Sequence, residues 1–498
     1  MNNNHPDKHP FETVVGSMKL SNPIVVITGL VSLIAIGWML SRFGLVVGLM
    51  MVALPLLAGY LLVLKNKPIV GFYTTVILSF VLLGLGRYLP SLPVGLGMDG
   101  ILVISFIALI FNQFYTKVDW RPLKKDVMLL ACIWFLYSLF QAFNPEMGSF
   151  SAYFGGVRGI SFYMFLAIPL TLLLVDNKRK LDVFLIIWGI LSLLATLKGL
   201  QQFLLGPDRW EKDWLNAGGS VTHFIMGRLR IFSFMSDAGQ FGANQAYTAV
   251  VAGIVGFHTK GIKKKIFFYL VAVCGIIGLF LSGTRGAMAI PLAGLFLYFV
   301  LRKNKTVLFL GIALLLVVFV FFKYTTIGQS NYEIRRMRTA FDLSDPSLQV
   351  RIQNQKILKT YLATRPFGGG IGHAGVKAQR FLPNAFLSKV ATDSWYVLIW
   401  AEQGIVGLCL HLFILIYILI KSAYWILFRI RDPDLKNTMI ALTSGYFGIL
   451  VASYGNAVLG TLPTAILMYA SMAILMNAKT LEQEQATTSN DLQTCKQF

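Results

Sequence analysis

Acidic residues are scarce in this 498-residue chain, which contains 22 Asp and Glu against 44 Lys and Arg. Charged residues of both signs make up 13% of the sequence, whereas a soluble domain carries about 25%. Hydrophobic residues make up 56%, and apolar runs long enough to cross a bilayer recur along the chain. The composition excludes an ordinary soluble protein and predicts an all-α polytopic membrane protein with about 12–14 transmembrane helices.

Cysteine is also rare, because the chain has only four. Cys132, Cys274 and Cys409 lie in apolar runs and Cys495 lies near the end of the chain, so no spacing indicates a disulfide or a metal site. Acids are missing from the predicted first outer loop, 41–44, where a metal-dependent lipid-sugar transferase would place ligands. We therefore predict no metal and no cofactor.

The apolar runs predict up to fourteen membrane spans whose connections alternate in charge. The predicted spans are 23–40, 44–64, 68–86, 98–115, 126–143, 157–175, 181–204, 238–258, 266–282, 285–301, 306–322, 405–428, 437–455 and 460–477. With the N-terminus inside, every connection that falls in the cytoplasm is rich in Lys and Arg, as the positive-inside rule requires. This pattern predicts a multi-pass protein of the bacterial inner membrane with both termini in the cytoplasm.

This topology divides the chain into tails, helices and loops. We predict a cytoplasmic tail (1–22), transmembrane helices (23–322) with an external loop near 205–237, a large external loop (323–404), C-terminal helices (405–477) and a cytoplasmic tail (478–498). The large loop is strongly basic although it lies outside, and topology does not explain that charge. A basic external loop with a glycine run therefore predicts part of an active site for a large anionic substrate.

Helix signals are clear within the large loop. Asp345 is predicted to cap a helix that begins at Pro346, and Arg365-Pro366 ends it. A second helix is predicted to start at Asp393 or Ser394 and to end at Gly404. Asp393 thus has two interpretations, as an N-cap of that helix or as a general base for an acceptor hydroxyl. Glu402 is either a helix-end residue or a catalytic one.

Outward-facing arginines are the strongest candidates for binding, since their planar fork suits phosphate and remains charged. The candidates are Arg158, Arg228, Arg230, Arg285 and Arg351, and the alternative for each is an arginine that extends to the membrane surface. The small neighbours of Arg285 favour close approach of the backbone to a ligand. Gly369, Gly370 and Gly372 either offer N–H groups to an anion or form a turn. His223 and His373 are predicted to be solvated loop residues.

Three motifs carry a family resemblance. They are Ser282-Gly283-Thr284-Arg285-Gly286-Ala287, the stretch from Thr364-Arg365-Pro366-Phe367 to Gly370, and Asp393-Ser394-Trp395-Tyr396 followed by Glu402-Gln403-Gly404 and Gly407-Leu408. In order and spacing over about 150–430 they resemble the O-antigen ligase and O-antigen polymerase family. The resemblance implies a metal-independent, inverting glycosyltransferase that transfers or polymerises glycan from an undecaprenyl-diphosphate-linked donor to a glycan or lipid acceptor. It also implies that Arg285, and Arg230 or alternatively Arg228, serve catalysis, and that nucleic acid is not a partner.

One departure from the family concerns Asp393. The ligases of the family carry a histidine at this place, so the aspartate keeps polymerase open beside ligase as the activity in lipopolysaccharide or other polysaccharide biosynthesis. A polysaccharide or lipid-linked glycan transporter or flippase is the alternative function. Ion-coupled transporters place acids within their spans, and these predicted spans contain almost none.

Overall fold

The computed structural model describes residues 45–90, 94–225, 227–342 and 344–494, together with isolated positions between 27 and 42. Within these residues, nine helices have the length and apolar composition needed to cross a membrane. The protein is thus an all-α polytopic membrane protein, as its composition predicts. Every predicted span from residue 44 onward overlaps a helix, with ends that differ by several residues. The predicted tail 1–22 and nearly all of the predicted span 23–40 lie outside the described residues.

The helices that precede the large loop follow one another with short connections. They are α1 (Leu45–Asn66), α2 (Ile69–Tyr88), α3 (Val94–Asn112), α4 (Asp126–Phe140), α5 (Phe150–Val157), α6 (Tyr163–Leu174), α7 (Lys178–Leu205), α8 (Arg209–Trp214), α9 (Ser220–His223), α10 (Ala238–His258), α11 (Ile262–Leu281), α12 (Ala289–Leu301) and α13 (Lys305–Tyr324). A π-helical segment, Arg158–Phe162, joins α5 to α6. Two short antiparallel strands, β1 (Phe224–Ile225) and β2 (Arg228–Leu229), lie between α9 and α10.

The chain from the large loop onward forms six helices. They are α14 (Tyr332–Arg338), α15 (Pro346–Leu362), α16 (Phe386–Lys389), α17 (Trp395–Phe428), α18 (Pro433–Ala452) and α19 (Thr464–Thr494). The last helix extends well beyond the predicted span 460–477 into the predicted tail. The chain divides into two compact units, Met1–Lys67 and Pro68–Phe498, and the first contains α1.

Most residues of helix α10 are buried within the second unit, and several of them are small or carry amides. An added Cβ at Gly275 of α11 would lie 2.7 Å from the carbonyl oxygen of Gln245, so the two helices approach closely. The side chain of Gln245 bonds to Ser192 at 2.8 Å, and Thr248 accepts from Trp188 at 2.8 Å. These hydrogen bonds satisfy polar groups that would otherwise be costly inside an apolar bundle.

The predicted helices of the large loop are present, with one correction at a cap. Asp345 accepts hydrogen bonds from Ser347 and Leu348 and caps α15, as predicted. The helix predicted to start at Asp393 or Ser394 begins at Trp395 with Ser394 as its N-cap, so the N-cap interpretation of Asp393 is wrong. Its predicted end at Gly404 is the place where α17 is kinked, with φ +67°.

Contacts between loops divide the connections into two sets. Lys178 lies 3.6 Å from Asp434, Lys264 lies 2.7 Å from Asp182, and Arg302 bonds to Asn437 at 2.9 Å. These residues belong to connections that the predicted topology assigns to the cytoplasm. The connections that it assigns to the outside meet at the other ends of the same helices, around the cavity described next.

Candidate functional site

A cavity of about 600 Å³ lies where the segment before α10, the turn between α11 and α12 and the large loop meet. Its charged lining residues are Arg230, Arg285, Arg336, Arg351, Asp237, Asp342, Asp345 and Asp393. We call this space the arginine cavity. Four of the predicted site residues, Arg230, Arg285, Arg351 and Asp393, line it although they are distant in sequence.

The turn between α11 and α12 organises two of these arginines. Gly283 adopts φ +55°, which favours glycine, and an added Cβ would lie 2.9 Å from Nε of Arg336. The carbonyl oxygen of Gly283 accepts a 2.6 Å hydrogen bond from Nε of Arg336, and the carbonyl oxygen of Ser282 accepts one from Arg230 at 3.3 Å. The glycine therefore lets the turn hold two guanidinium groups side by side.

Arg230 is held by hydrogen bonds to uncharged carbonyl and hydroxyl oxygens. Its guanidinium donates to the Thr222 carbonyl at 3.2 Å and to the Thr284 hydroxyl at 2.9 Å, in addition to Ser282. Burial, followed by the nearby charge of Arg336, lowers the pKa of Arg230 to about 10, so it remains a cation at neutral pH. Neither Arg230 nor Arg336 forms a salt bridge with another described residue. Asp237 acts on Arg230 and Asp345 acts on Arg336 through space, but neither guanidinium is held in a direct ion pair with a described residue.

Arg285 is held by the large loop. Its Nη1 lies 2.5 Å from the carboxylate of Asp345 and donates to the Thr339 hydroxyl at 2.8 Å. The hydrogen bond from Arg285 lowers the pKa of Asp345. Next to Arg285, an added Cβ at Gly286 would lie 2.3 Å from Nδ2 of Asn456, so this glycine allows close packing on Asn456. The predicted approach of the backbone to a ligand stays a prediction.

Asp393 faces Arg351 across the mouth of the cavity. Their side chains are 3.2 Å apart, and the Asp393 side chain is 53% exposed. Since Ser394 caps α17, the carboxylate of Asp393 serves no helix terminus and is accessible to a ligand. The general-base interpretation of Asp393 stays a prediction, and the structure shows its carboxylate paired with Arg351.

Sequence reasoning missed two residues of the cavity. Arg336 belongs to the basic run Arg335-Arg336-Met337-Arg338. The sequence of that run does not reveal which of its arginines lines the arginine cavity. Asn456 lies between two predicted spans with no charged or motif neighbour to single it out. Its Nδ2 is buried without a hydrogen-bond partner among the described residues and lies at the cavity wall, where a ligand oxygen would satisfy it.

Residues 270–412 match the family model described as O-antigen ligase. This segment is similar to the O-antigen ligase family. The O-antigen ligase segment includes the Ser282–Gly286 turn, α15 and Asp393, whereas Arg230 and Asn456 of the cavity lie outside it. No curated protein matches the chain. The family indicates a membrane enzyme of glycan transfer in lipopolysaccharide or polysaccharide biosynthesis.

Two predicted arginines lie away from the arginine cavity. Arg158 forms a salt bridge with Asp99 at 2.8 Å. Arg228 lies 3.6 Å from Glu333 and 5.0 Å from the ring of Tyr332, with 57% of its side chain exposed. The structure therefore brings Arg230, and not Arg228, to the turn that carries Arg285.

The glycine run of the O-antigen ligase segment packs against α17. The N–H groups of Gly369 and Gly370 donate to the carbonyls of Ala401 and Glu402, both at 2.9 Å. An added Cβ at Gly372 would lie 2.0 Å from the carbonyl oxygen of Ala152. These N–H groups are thus engaged within the protein, and we do not include the glycines in the proposed anion site.

The two loop histidines are buried, so the prediction that they are solvated is wrong. Nε2 of His373 accepts from the N–H of Gly148 at 2.8 Å and that of Ser149 at 3.2 Å. Nε2 of His223 accepts from the N–H of Ala238 at 3.2 Å, and burial lowers the pKa of His223. Both histidines hold loops to helix starts. Among the residues that the structure describes, no group of three His, Cys, Asp or Glu is placed to hold a metal ion.

Proposed function

We propose that this protein is an inverting, metal-independent glycosyltransferase that takes glycan from an undecaprenyl-diphosphate-linked donor at the outer face of the bacterial inner membrane. The observation that carries the proposal is the arginine cavity, in which Arg230 and Arg336 lie beside Arg285 without a salt bridge to any described residue. A diphosphate offers several anionic oxygens, and arginine forks bind such oxygens with two parallel hydrogen bonds.

An apolar cleft next to the cavity supports a lipid-linked donor. The cleft has a volume of about 290 Å³ and lies between α12 and α13, lined by Leu292, Phe296, Ile312, Leu315, Leu316 and Phe319. Leu292 also lines the arginine cavity, so the charged and the apolar spaces adjoin. A molecule with an anionic head and a hydrocarbon tail fits this arrangement, because each part meets a surface of its own polarity.

The proposed reaction is a single displacement at the anomeric carbon. A hydroxyl oxygen of the acceptor forms the new bond to that carbon, and the bond from the carbon to the phosphate oxygen breaks with its electron pair on the lipid diphosphate. Asp393 takes the hydroxyl proton, and Arg230, Arg285 and Arg336 stabilise the charge on the departing diphosphate. Attack opposite the leaving group inverts the anomeric centre.

The same proposal includes the orientation of the chain in the membrane. The large loop 323–404 and the loop near 205–237 are external, and both termini are cytoplasmic. The reason is that short connections rich in Lys and Arg stay on the cytoplasmic side of the membrane. This orientation puts the arginine cavity on the outer side. It also explains why the external loop is basic, since its arginines line a site for an anionic donor.

Analysis of the surface glycans from a deletion strain tests the proposal and separates its two forms. Loss of chain length with retained attachment indicates a polymerase. Loss of attachment, with intact polymer still on the lipid carrier, indicates a ligase. Surface glycans of unchanged length and amount would contradict both forms, and restoration by a plasmid copy of the wild-type gene is the control.

A further inference from the structure

A second cavity, of about 540 Å³, lies beside the arginine cavity on the same side of the bundle. Its volume falls within the roughly 300–1,000 Å³ typical of small-molecule sites. Two short stretches of chain separate the cavities. Asp393 and Asn456 line the arginine cavity, whereas Trp395 and Ala457 line the second one. Trp395 donates its backbone N–H to the carbonyl of Ser453 at 2.9 Å, which ties these two stretches together.

The second cavity contains a buried carboxylate that the proposed reaction does not use. Glu402 lines the cavity, is 3% exposed, and forms no salt bridge with any residue that the structure describes. The N–H of Ala374 donates to its Oε1 at 3.3 Å, and Gly372 also donates to the carboxylate. Two such donors leave part of the capacity of a carboxylate unused, because its two oxygens accept about four hydrogen bonds.

The rim of this cavity is cationic and aromatic, whereas its base contains the carboxyl group of Glu402. The 3-10 helix Val376–Arg380 brings Lys377 and Arg380 to the rim, both exposed, next to the apolar ring of Phe381. Glycines form much of the opposite wall, and Gly155 has open space where a Cβ would lie. A base that accepts hydrogen bonds and a rim that is cationic and aromatic suit a hydroxyl-rich molecule with an anionic substituent.

We infer that the second cavity binds the acceptor sugar, with Glu402 accepting hydrogen bonds from its hydroxyl groups. The inference rests on the proposed function, which requires an acceptor to reach Asp393. An inverting displacement needs the acceptor and the leaving diphosphate on opposite sides of the anomeric carbon. The second cavity supplies a space on the far side of the 393–395 wall from the arginines, and Lys377 and Arg380 hold the anionic substituent of the acceptor.

The test fills the cavity without disturbing its walls. Gly155→Leu extends a side chain into the open space, and Gly100→Leu is the matched control, since Gly100 is also helical and open but lines neither cavity. The donor probe is lipid-linked glycan extracted from the deletion strain. The acceptor probe is membrane from a strain that lacks both this protein and donor synthesis.

We expect Gly155→Leu to lower transfer at limiting acceptor by about tenfold or more, because its side chain occupies space that the acceptor needs. Glu402→Gln should lower transfer by about tenfold, because the amide offers one oxygen acceptor in place of two. Both variants should still bind the lipid-linked donor, whereas Arg285→Ala should lose that binding. Thermal unfolding in detergent identifies any variant that is misfolded. If Glu402→Gln is unstable, transfer by Gly155→Leu alone tests whether the second cavity binds the acceptor.

Two outcomes overturn the inference. One is transfer by Gly155→Leu equal to that of Gly100→Leu, and the other is a parallel loss of donor binding and transfer in folded Gly155→Leu. Failure of the proposed function has a separate signature, because donor binding and transfer would then be unchanged in Arg285→Ala.

Discussion

Asp345 and Arg285 are joined by a 2.5 Å contact that links the large loop to the turn between α11 and α12. The same carboxylate accepts hydrogen bonds from the N–H groups of Ser347 and Leu348 and so caps α15. One side chain therefore determines both where α15 begins and where the guanidinium of Arg285 lies. Helix α15 in turn carries Arg351, which contacts Asp393.

The contact predicts a pH dependence of stability. The pKa of Asp345 is lowered by the hydrogen bond from Arg285, so its stabilising contribution is complete above the unfolded-state pKa of about 4 and is lost as pH falls through the lower folded-state pKa. Asp345→Asn keeps a capping side chain but has no titrating charge. Thermal unfolding in detergent between pH 3 and 7 should show a shallower acid decline in Asp345→Asn than in the wild type. Identical pH profiles would refute this role.

Arg230 and Arg285 should both be required for glycan transfer. Alanine at either position removes a charge-assisted contact to the diphosphate and should cost about 2–4 kcal/mol of transition-state stabilisation. Lysine should restore only part of the activity, because an ammonium group cannot form the planar fork. Transfer by purified protein from lipid-linked glycan measures the effect, and protein level in the membrane is the control. Full activity in either alanine variant would remove that arginine from the site.

Arg336 and Arg335 provide a matched pair. Arg336 lines the arginine cavity and bonds to Gly283, whereas its neighbour Arg335 is exposed and does not line it. Arg336→Ala should lower transfer by at least about tenfold through the loss of a charged hydrogen bond, and Arg335→Ala should retain wild-type transfer. Rates are compared at equal amounts of folded protein. Equal losses in the two variants would point to the general charge of the loop instead of the cavity.

Asp393 and Ser394 separate catalysis from helix capping. Ser394→Ala should lower stability by about 1 kcal/mol, because Ser394 is the N-cap of α17. Asp393→Asn should unfold at the wild-type temperature but lose transfer by about 10²–10⁴-fold, the usual contribution of a general base. Asp393→His should regain part of the activity if the family's histidine occupies the same position. Near-normal turnover of Asp393→Asn would leave catalysis to the arginines.

The proposed orientation predicts opposite labelling on the two sides of the membrane. In a background without native cysteines, Ser330→Cys in the large loop should react with an impermeant thiol reagent in spheroplasts. Lys263→Cys, in the first turn of α11, should react only after the membrane is opened. Both positions are exposed, so access to the reagent reports the side of the membrane. Labelling of Lys263→Cys alone in intact spheroplasts would reverse the topology.

The amino-acid sequence by itself determined the features that depend on near neighbours. Apolar runs predicted the helices, Asp345-Pro346 predicted the start of α15, and Gly404 predicted the break in α17, because hydrophobic burial, capping and positive φ act over a few residues. Short motifs also predicted the turn at Arg285 and singled out Arg230 as a candidate, which the structure places at the arginine cavity.

Only the tertiary structure decided which distant groups meet. It brought Arg336 and Asn456 to the arginine cavity, put Arg228 outside it, and freed Asp393 from the cap by giving that role to Ser394. It also buried His223 and His373, which the sequence indicated as solvated. The physical reason is that these contacts join segments separated by tens to hundreds of residues. Their partners depend on how whole helices pack, and no local pattern of charge or hydropathy encodes that packing.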